Sequence, residues 1–335
     1  MSHLTPGIIL RDRYRITGLI GAGGMGAVYL ADDQRLKGRR CAIKEQVIFD
    51  STLAEAVQKQ FEQEASILAR LDHPGLPKVS DYFSAEIGGR DYLVMDYVPG
   101  QNLEELIKQA HRKGDFLVEA TVLNWIDQLC DILIYLHHCS PMVLHRDIKP
   151  ANIKLTPENR LKLVDFGLAK PFDPDDPHTI TGLQGLGSLP YTPIEQYLGH
   201  RGHTDARADL YALGSTCYHL LTGQPPHSAH EYFLNPDSLA PPHLLNPRLS
   251  PHVSQVILWA MQLHPNNRPP SVEVWHAALR QQEFMPDGRP ATIPFEPTPP
   301  AEATFLAVLR DNIILFGLAI LLLILALVMT FGGDL

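Results

Sequence analysis

The alternation of hydrophobic and polar residues changes character near Pro99 and Gly100. Before this point, short apolar runs are separated by turn residues, a pattern typical of antiparallel strands. The predicted strands are Tyr14–Ile20, Ala27–Ala31, Arg40–Val47, Lys78–Ser84 and Asp91–Tyr97. One helical stretch, Thr52–Leu71, interrupts them and opens with Thr52 and Glu55 at capping-box spacing.

After residue 100 the apolar residues recur mostly at helical spacing. The predicted helices are Leu103–Arg112, Thr121–His138, Arg207–Thr222 and Ser254–Leu263. A small β-rich region, residues 10–98, is therefore followed by a larger helical region, residues 99–284. The fold class predicted from this order is α+β.

The segment Ile313–Phe331 contains nineteen consecutive residues without a charge. At 1.5 Å per residue a helix of this length spans roughly 28 Å, close to the hydrocarbon thickness of a bilayer. A buried core helix is the alternative, but it would carry a polar stripe, and here only Thr330 is polar. The pattern predicts a transmembrane helix over residues 313–331.

Residues 285–304 link the helical region to the predicted span. Prolines stand at positions 286, 290, 294, 297, 299 and 300. Proline at this density blocks helices and sheet ladders and favours an extended polyproline II chain. The segment is predicted to be a semi-rigid spacer, and a docking site for a proline-binding module is the alternative.

The charge balance excludes one class of partner. The chain has 28 basic and 37 acidic residues, a net charge of −9, so a sequence-independent nucleic-acid binder is not expected. Hydrophobic residues reach 45%, which is ample for a folded core. The four cysteines show no CxxC spacing, so neither a zinc site nor a disulfide framework is predicted.

A glycine-rich stretch, Gly21-Ala-Gly23-Gly-Met-Gly26-Ala-Val, lies between two predicted strands. Glycines let backbone amides approach phosphate oxygens closely, because no Cβ stands in the way. In a dinucleotide-binding fold such a loop would open a helix. Here the strand-like run Ala27–Ala31 follows, so the glycines are predicted to cap a hairpin.

Lys44 ends the apolar run Cys41-Ala-Ile. A lone lysine on a strand is ordinarily a solvated edge charge. Twenty residues later, however, Glu64 lies beside the apolar helix positions Phe61, Ala65 and Leu68. A lysine held by a carboxylate can be aimed at the phosphates of a nucleotide.

Two further motifs decide the interpretation. His145-Arg-Asp147-Ile-Lys149-Pro-Ala-Asn152 places a carboxylate, an ammonium and an amide within six residues, and Asp165-Phe-Gly follows an apolar run. Together with the glycine loop and the strand lysine, these motifs resemble the ordered signature of the protein-kinase family. The resemblance implies a two-lobed kinase fold over residues 10–284, with the N-lobe at 10–98 and the C-lobe at 99–284.

The resemblance also implies the roles of individual residues. Asp147 would accept or orient the proton of the substrate hydroxyl, and Lys149 would stabilise the γ-phosphate during transfer. Asn152 and Asp165 would hold Mg²⁺, with Mn²⁺ as an alternative. The implied ATP site comprises Ile20, Gly21, Gly23, Gly26, Val28, Ala42, Lys44, Glu64, Met95, Asp96, Val98 and Leu155.

The similarity extends over roughly residues 14–284. Glu195 and Arg268 resemble the ion pair that closes the activation segment, and Asp209 resembles the start of the helix that supports the catalytic loop. The usual threonine of the segment is Ser188, and the usual Ala-Pro-Glu reads Pro-Ile-Glu at 193–195, so the hydroxyl and the carboxylate are both retained.

Regulation is also implied by the resemblance. In the family, the arginine corresponding to Arg146 pairs with a phosphate on the activation loop. Autophosphorylation is therefore predicted at Thr179 or Thr181, with a homodimer as the arrangement in which one copy modifies another.

The lysine two residues after Asp147 is typical of serine/threonine kinases. The whole pattern is most similar to bacterial Hanks-type (eukaryotic-like) serine/threonine kinases, which implies ATP-dependent phosphorylation of serine and threonine on protein substrates. Pseudokinases usually lack the equivalents of Lys44, Asp147 or Asp165, which are all present. Small-molecule kinases rarely carry a full activation segment such as 165–195.

Charge also predicts the topology. Arg310, Arg289 and Arg280 precede the span, and no basic residue follows it. Positive charge is retained on the cytoplasmic side, so residues 1–312 are predicted to be cytoplasmic and the C-terminus to lie on the opposite side of the cell membrane. The expected protein is a single-pass kinase whose lipid partner is contacted through residues 313–331.

Overall fold

The computed structural model describes residues 3–23, 26–47, 54–84, 90–165, 170–171, 186–197 and 204–280. The chain divides into two units, Met1–Gln282 and Glu283–Leu335, and the second lies outside these residues. The predicted linker 285–304 and the predicted span 313–331 therefore lie outside them as well. Within the ranges given above, no helix is long and apolar enough to cross a membrane.

The N-terminal half forms one antiparallel sheet of six strands. The strands are β1 (Ile9–Leu10), β2 (Tyr14–Gly23), β3 (Gly26–Asp33), β4 (Arg40–Val47), β5 (Val79–Ser84) and β6 (Arg90–Asp96). Their order across the sheet is β1-β2-β3-β4-β6-β5. The five predicted strands are confirmed, whereas β1 is too short to produce a visible alternation.

The core of this sheet is aromatic and aliphatic. Tyr14, Ile16, Tyr29 and Ile43 are fully or almost fully buried. Phe83 joins them and stacks on the ring of Tyr14, with 6.2 Å between the ring centroids. Such pairs stabilise a sheet beyond the burial of their area, so the aromatic residues hold the strands in register.

The two faces of strand β4 lie in different environments, the core of the sheet on one side and a cleft on the other. Lys44 and Glu45 are neighbours on this strand, so their side chains point to opposite faces. The buried carboxylate of Glu45 accepts hydrogen bonds from the hydroxyls of Tyr29 and Tyr92 at 2.8 and 3.0 Å. Arg90 adds an ion pair at 2.8 Å. These contacts fix which face of β4 points into the core. Lys44 is therefore kept on the opposite face, toward the cleft described below.

Helix α1 spans Ala54–Leu68 and buries Phe61, Ala65 and Leu68. The predicted start at Thr52 lies outside the described residues. The helix ends three residues before the predicted Leu71, where the N–H groups of Arg70 and Leu71 donate to carbonyls only three residues back. The last turn tightens there, and the helix stops.

The C-terminal half is mainly helical. Its helices are α2 (Leu103–Arg112), α3 (Glu119–His137), α4 (Ile194–Tyr197), α5 (Ala206–Thr222), α6 (Ala229–Leu234), α7 (Pro242–Leu245), α8 (Pro251–Ala260) and α9 (Val272–Arg280). Its short strands are β7 (Gln101–Asn102), β8 (Val143–Leu144), β9 (Ile153–Leu155), β10 (Leu161–Leu163) and β11 (Lys170–Pro171). All four predicted helices are present, and the two-lobed α+β organisation is confirmed.

Local capping explains the helix bounds. The side chain of Asn102 accepts from the N–H of Glu105, and the Glu105 carboxylate accepts from the N–H of Asn102, which starts α2 at the predicted Leu103. Helix α8 begins three residues before the prediction, because Ser250 caps it and Pro251 takes its first position.

Helix α5 is the centre of this lobe. Asp205 caps its start, and Gly223, with φ of 72°, ends it in the left-handed conformation that glycine adopts readily. Every residue from Ala208 to Thr222 is buried. A helix enclosed on all sides provides a rigid base for the loops that rest on it.

Candidate active site

A cleft of about 280 Å³ lies between the sheet and the helical lobe. The predicted site residues that line it are Ile20, Gly21, Val28, Ala42, Lys44, Met95, Asp96, Val98, Asn152 and Asp165. Residues that are 145 positions apart in sequence therefore meet at one cavity. The structure brings these ten residues together, whereas Gly23, Gly26 and Leu155 of the predicted ATP site are not among the described residues that line the cleft.

The glycine stretch forms the predicted hairpin between β2 and β3, with Gly21 opposite Val28 and Gly23 opposite Gly26. A Cβ on Gly21 would meet nothing within 4 Å, so this glycine leaves open space at the cleft. Gly26 has a φ of 154°, and a Cβ there would collide with the backbone carbonyl of Glu45 on β4. Gly26 thus allows β3 to lie close against β4.

One residue on the floor of the cleft differs from the sequence prediction. Leu155 is not among the residues that line it, and Lys154 takes that place. Successive side chains of strand β9 point to opposite faces, so the two neighbours cannot both face the cavity. In register, Lys154 lies opposite Asn102 of β7, which also lines the cleft. The predicted floor residue Leu155 is therefore corrected to Lys154, one position earlier.

Asp147 is the centre of a dense hydrogen-bond network. Lys149 Nζ donates to both of its carboxylate oxygens, at 3.0 and 2.8 Å. Asn152 Nδ2 donates to Oδ2 at 2.8 Å, and Ser188 Oγ donates to Oδ1 at 3.1 Å. Three side chains thus hold a carboxylate that is 14% exposed. Both of its oxygens are fixed in position, and the carboxylate stays accessible.

Ser188 joins the activation segment to this network. Besides its bond to Asp147, its Oγ accepts a hydrogen bond from Lys149 Nζ at 2.7 Å. The hydroxyl is recognisable in the sequence as part of a motif, but this contact is not. Lys149 and Ser188 are 39 positions apart in the sequence, so no local pattern reveals the contact.

Asp209, on α5, supports the catalytic loop from below. Its buried carboxylate accepts the backbone N–H groups of His145 and Arg146 at 2.9 and 2.7 Å, and contacts His137 Nε2 at 3.0 Å. Burial alone would raise the pKa of Asp209, but the hydrogen bonds from His137 and the backbone hold it below its usual range. These bonds hold Arg146 in a left-handed backbone conformation, with φ of 65°, directly before Asp147.

Asp165 pairs with Lys44, with 3.0 Å between Nζ and Oδ1. The positive charge of Lys44 is the main reason that the pKa of Asp165 is lowered. The predicted partner of Lys44, Glu64, has its side chain outside the described residues. The Lys44–Glu64 pair therefore stays a prediction.

The side-chain oxygens of Asp165 and Asn152 are suitable ligands for a magnesium ion. In the part of the chain that the structure describes, Asp165 Oδ2 and Asn152 Oδ1 accept no hydrogen bond, and both residues line the cleft. The same part has no group of three or more histidine, cysteine or acidic residues suited to a metal. One carboxylate and one amide suit Mg²⁺, which keeps waters and takes its other ligands from substrate phosphates.

Glu195 and Arg268 form a buried bidentate ion pair, with N···O distances of 2.6 and 2.9 Å. The remaining guanidinium N–H groups of Arg268 donate to three backbone carbonyls, those of Arg207, Gln262 and Leu263. Arg268 therefore binds the end of the activation segment to the start of α5 and the loop after α8. The predicted partners lie in contact.

The two predicted phosphorylation sites, Thr179 and Thr181, lie outside the described residues. The same is true of Phe166 and Gly167 of the Asp-Phe-Gly motif. The predicted regulatory role of Arg146 depends on this segment, so it stays a prediction. Arg146 itself is buried.

Comparison with known proteins adds independent support. The protein kinase domain family matches residues 14–280. Serine/threonine-protein kinase PknA of Mycobacterium tuberculosis is 34% identical over 311 residues, covering 86% of this chain and 68% of PknA. PknB of the same organism is 33% identical over 273 residues, covering 77% of this chain and 41% of PknB.

Solved structures agree with the observed fold. The apo form of PpkA-294 matches with a TM-score of 0.68 and 27% identity, covering 83% of this chain and 99% of that one. The PknI kinase domain of Mycobacterium tuberculosis matches with a TM-score of 0.60 and 27% identity, covering 83% and 98% of the two chains. Kinases of this family use ATP and a divalent metal ion. The family match, the identity to PknA and the site geometry together place this chain in the protein kinase family, as a serine/threonine protein kinase of the bacterial Hanks type.

Proposed function

We propose that this protein is a membrane-anchored signalling kinase that transfers the γ-phosphoryl group of ATP to serine and threonine hydroxyls of protein substrates. The observation that carries the proposal is the single network that joins Asp147, Lys149, Asn152 and Ser188. Through Asn152, this network reaches the cleft that also contains Lys44 and Asp165.

Asp147 orients the substrate hydroxyl and accepts its proton. Its two oxygens are held by Lys149, Asn152 and Ser188, so the carboxylate is already positioned before substrate binds. Phosphoryl transfer depends on positioning and charge neutralisation more than on covalent chemistry. Lys149 provides a positive charge beside the attacking oxygen, where it stabilises the phosphoryl group during transfer.

Asn152 Oδ1 and the carboxylate of Asp165 hold the divalent metal, with Mg²⁺ preferred and Mn²⁺ able to use the same oxygen ligands. When bound, the metal neutralises charge on the phosphates. Lys44 contacts the α- and β-phosphates from the opposite wall of the cleft. The adenine base lies at Asp96 and Val98, where the strand β6 leaves the sheet.

The described end of the activation segment, residues 186–197, supports a protein substrate. The Glu195–Arg268 pair anchors this end, and Ser188 nearby contacts both Asp147 and Lys149. An anchored segment beside the catalytic carboxylate offers a surface on which a peptide can lie. A pseudokinase is disfavoured because Lys44, Asp147 and Asp165 are all present.

A phosphotransfer assay tests the proposal. The purified protein is incubated with Mg²⁺ and γ-labelled ATP, together with either a generic protein substrate such as casein or a panel of hydroxylated metabolites. Label is expected on serine and threonine of the protein only. Label on a metabolite alone would identify a small-molecule kinase, and nucleotide binding without any transfer would identify a pseudokinase.

Autophosphorylation is expected at Thr179 or Thr181. A phosphate adds roughly 1.5 to 2 negative charges, and an arginine can bind it through two parallel hydrogen bonds, which is the role proposed for Arg146. Peptide mass spectrometry should find the phosphate in the wild-type protein and not in Asp147→Asn. Full activity of a Thr179→Ala/Thr181→Ala variant would contradict the regulatory role.

The Asp147→Asn variant also tests whether one copy of the protein phosphorylates another. Asp147→Asn protein keeps both threonines and has lost the catalytic carboxylate, so it serves as a pure acceptor. Phosphate on this variant after addition of a small amount of wild type would demonstrate transfer between two copies. A wild-type rate that is independent of protein concentration, with no phosphate on the acceptor, would contradict a homodimer.

Membrane anchoring through residues 313–331 rests on the sequence pattern. The uncharged stretch is long enough to span a bilayer, and Arg310 on its N-terminal flank favours a cytoplasmic position for residues 1–312. ATP is available on that side. The residues after the span are proposed to lie on the opposite side, with residues 285–304 as a spacer.

Cell fractionation and protease protection test this topology. The full chain should sediment with membranes, and deletion of residues 305–335 should release a soluble protein that still transfers phosphate. Protease added to intact spheroplasts should leave the kinase domain whole. Its digestion while the membrane is unbroken would show the opposite orientation.

A further inference from the structure

Lys154 occupies an unexpected place for a lysine. It lies on β9, after the buried Ile153 and before the half-buried Leu155, and lines the cleft. Its ammonium lies 5.9 Å from the centre of the Tyr97 ring. Burial lowers the pKa of Lys154, because the low-dielectric surroundings disfavour the charged form. A charged side chain is thus held against an otherwise apolar part of the wall.

The two other lysines of the site have carboxylate partners. Lys44 pairs with Asp165 at 3.0 Å, and Lys149 pairs with Asp147 at 2.8 Å. Across the residues that the structure describes, the Lys154 ammonium forms neither an ion pair nor a hydrogen bond. It carries three donors and no acceptor. A partly buried ammonium in this state has donors available to a ligand.

The position of Lys154 restricts what that ligand group can be. In register it lies opposite Asn102, and both residues belong to the end of the cleft near Tyr97, where the chain leaves β6. The phosphate-binding residues proposed above lie farther along the sheet: Lys44 is opposite Leu93, three residues before β6 ends, and pairs with Asp165. Lys154 therefore meets the nucleoside part of a bound nucleotide and not its phosphates.

The side-chain oxygen of the neighbouring Asn102 is already engaged. Asn102 Oδ1 accepts the N–H of Glu105 at 2.8 Å, because Asn102 caps helix α2. Ribose hydroxyls at this end of the cleft need donors as well as acceptors. The Lys154 ammonium is a donor there: the carboxylate of Glu105 is near enough to act on its charge, but among the described residues it forms no ion pair or hydrogen bond with it.

We propose that Lys154 is a specificity-determining residue that recognises the ribose of ATP, its methylene stem forming the floor beneath the base and its ammonium donating hydrogen bonds to the ribose hydroxyls. This inference rests on the proposed function, which places the base at Asp96 and Val98. The stem also explains how a charged residue can stand where an apolar floor residue was predicted. The four methylenes of lysine can pack against apolar groups while the ammonium stays available for polar contacts.

Nucleotide binding to the full chain tests the inference. Dissociation constants are measured by calorimetry for the magnesium complexes of ATP and 2′,3′-dideoxy-ATP, which lacks both ribose hydroxyls. The wild type is expected to bind ATP about tenfold more tightly, the effect typical of a hydrogen bond from a charged donor. In Lys154→Met, which keeps the stem and removes the charge, the two nucleotides should bind equally well.

Lys162→Met is the matched control. Lys162 lies opposite Lys154 on the adjacent strand β10, and its Nζ donates to the carbonyl of Leu76 at 3.4 Å. Neither Lys162 nor Leu76 is among the residues that line the cleft. This variant removes the same charge from the same small sheet. It should keep the tenfold preference for ATP, as should Lys154→Arg, which retains a charged donor.

Three results would overturn the inference. They are a wild type that binds both nucleotides equally, a Lys154→Met variant that keeps the preference, and a Lys154→Met variant that loses the same factor for both nucleotides. The last result would mean that the charge attracts phosphates or that the stem only packs. Absence of any MgATP binding to the wild type would instead refute the proposed function itself.

Discussion

Replacement of Asp147 by asparagine is expected to lower the rate of phosphoryl transfer by about 10²- to 10⁴-fold, the usual effect of removing a general base. MgATP should still bind, because Asp147 lies behind Asn152 and is not among the residues that line the cleft. The substituted amide keeps the size of the side chain, but its NH2 group cannot accept one of the two hydrogen bonds that Lys149 donates to the carboxylate, so part of the network is lost together with the base.

The variant Asp165→Asn distinguishes the role of Asp165 from that of Asp147. Asp165 lines the cleft and pairs with Lys44, and it is proposed to hold the metal. This variant should therefore lose Mg²⁺-dependent nucleotide affinity as well as activity. Calorimetric titration of both variants with MgATP checks the assignment, and an equal loss of binding in the two would contradict it.

Replacement of Arg268 by leucine is expected to lower the free energy of unfolding by about 3 to 5 kcal/mol, the cost of leaving one partner of a buried ion pair alone. The carboxylate of Glu195 would stay buried without its bidentate partner. Backbone carbonyls, including those of Gln262 and Leu263, would lose donors at the same time. Phosphorylation of protein substrates should fall as well, because Glu195 ends the segment that contains Ser188.

Urea unfolding of protein lacking residues 305–335 measures this change. The three tryptophans, at positions 125, 259 and 275, all lie in the helical lobe, so their fluorescence reports on it. Arg280→Leu is the control, since it removes an arginine from the more exposed pair with Asp127. Exposed pairs contribute at most about 1 kcal/mol. Equal destabilisation by the two substitutions would contradict the structural role of the buried pair.

The local structure of this protein could be predicted well from its sequence. Strand β4 and helix α2 have the predicted bounds, because period-2 and period-3.6 patterns depend only on neighbouring residues. The hairpin of the glycine stretch was also predictable, since Ala27–Ala31 alternates as a strand does. The bounds of α1 and α8 shifted by a few residues, where capping and the tightening of a last turn outweigh periodicity.

The motifs in their order were sufficient to predict the family and the chemical type of each site residue. Lys44, Asn152 and Asp165 were expected at one site and lie at one cleft. This succeeds because the residues that neutralise phosphate and hold a metal must have particular charges and donor atoms. Such requirements are visible in residue identity alone.

The tertiary structure alone decided how these groups are supported. Asp209 holds the backbone of His145 and Arg146 across more than 60 residues, and no periodicity encodes the length of such a hydrogen bond. The choice of Lys154 over Leu155 at the cleft depends on the register of β9 against β7, because a shift of one residue exchanges the faces of a strand. Residue types thus follow from the sequence, whereas their orientation and partners follow from the packing of distant elements.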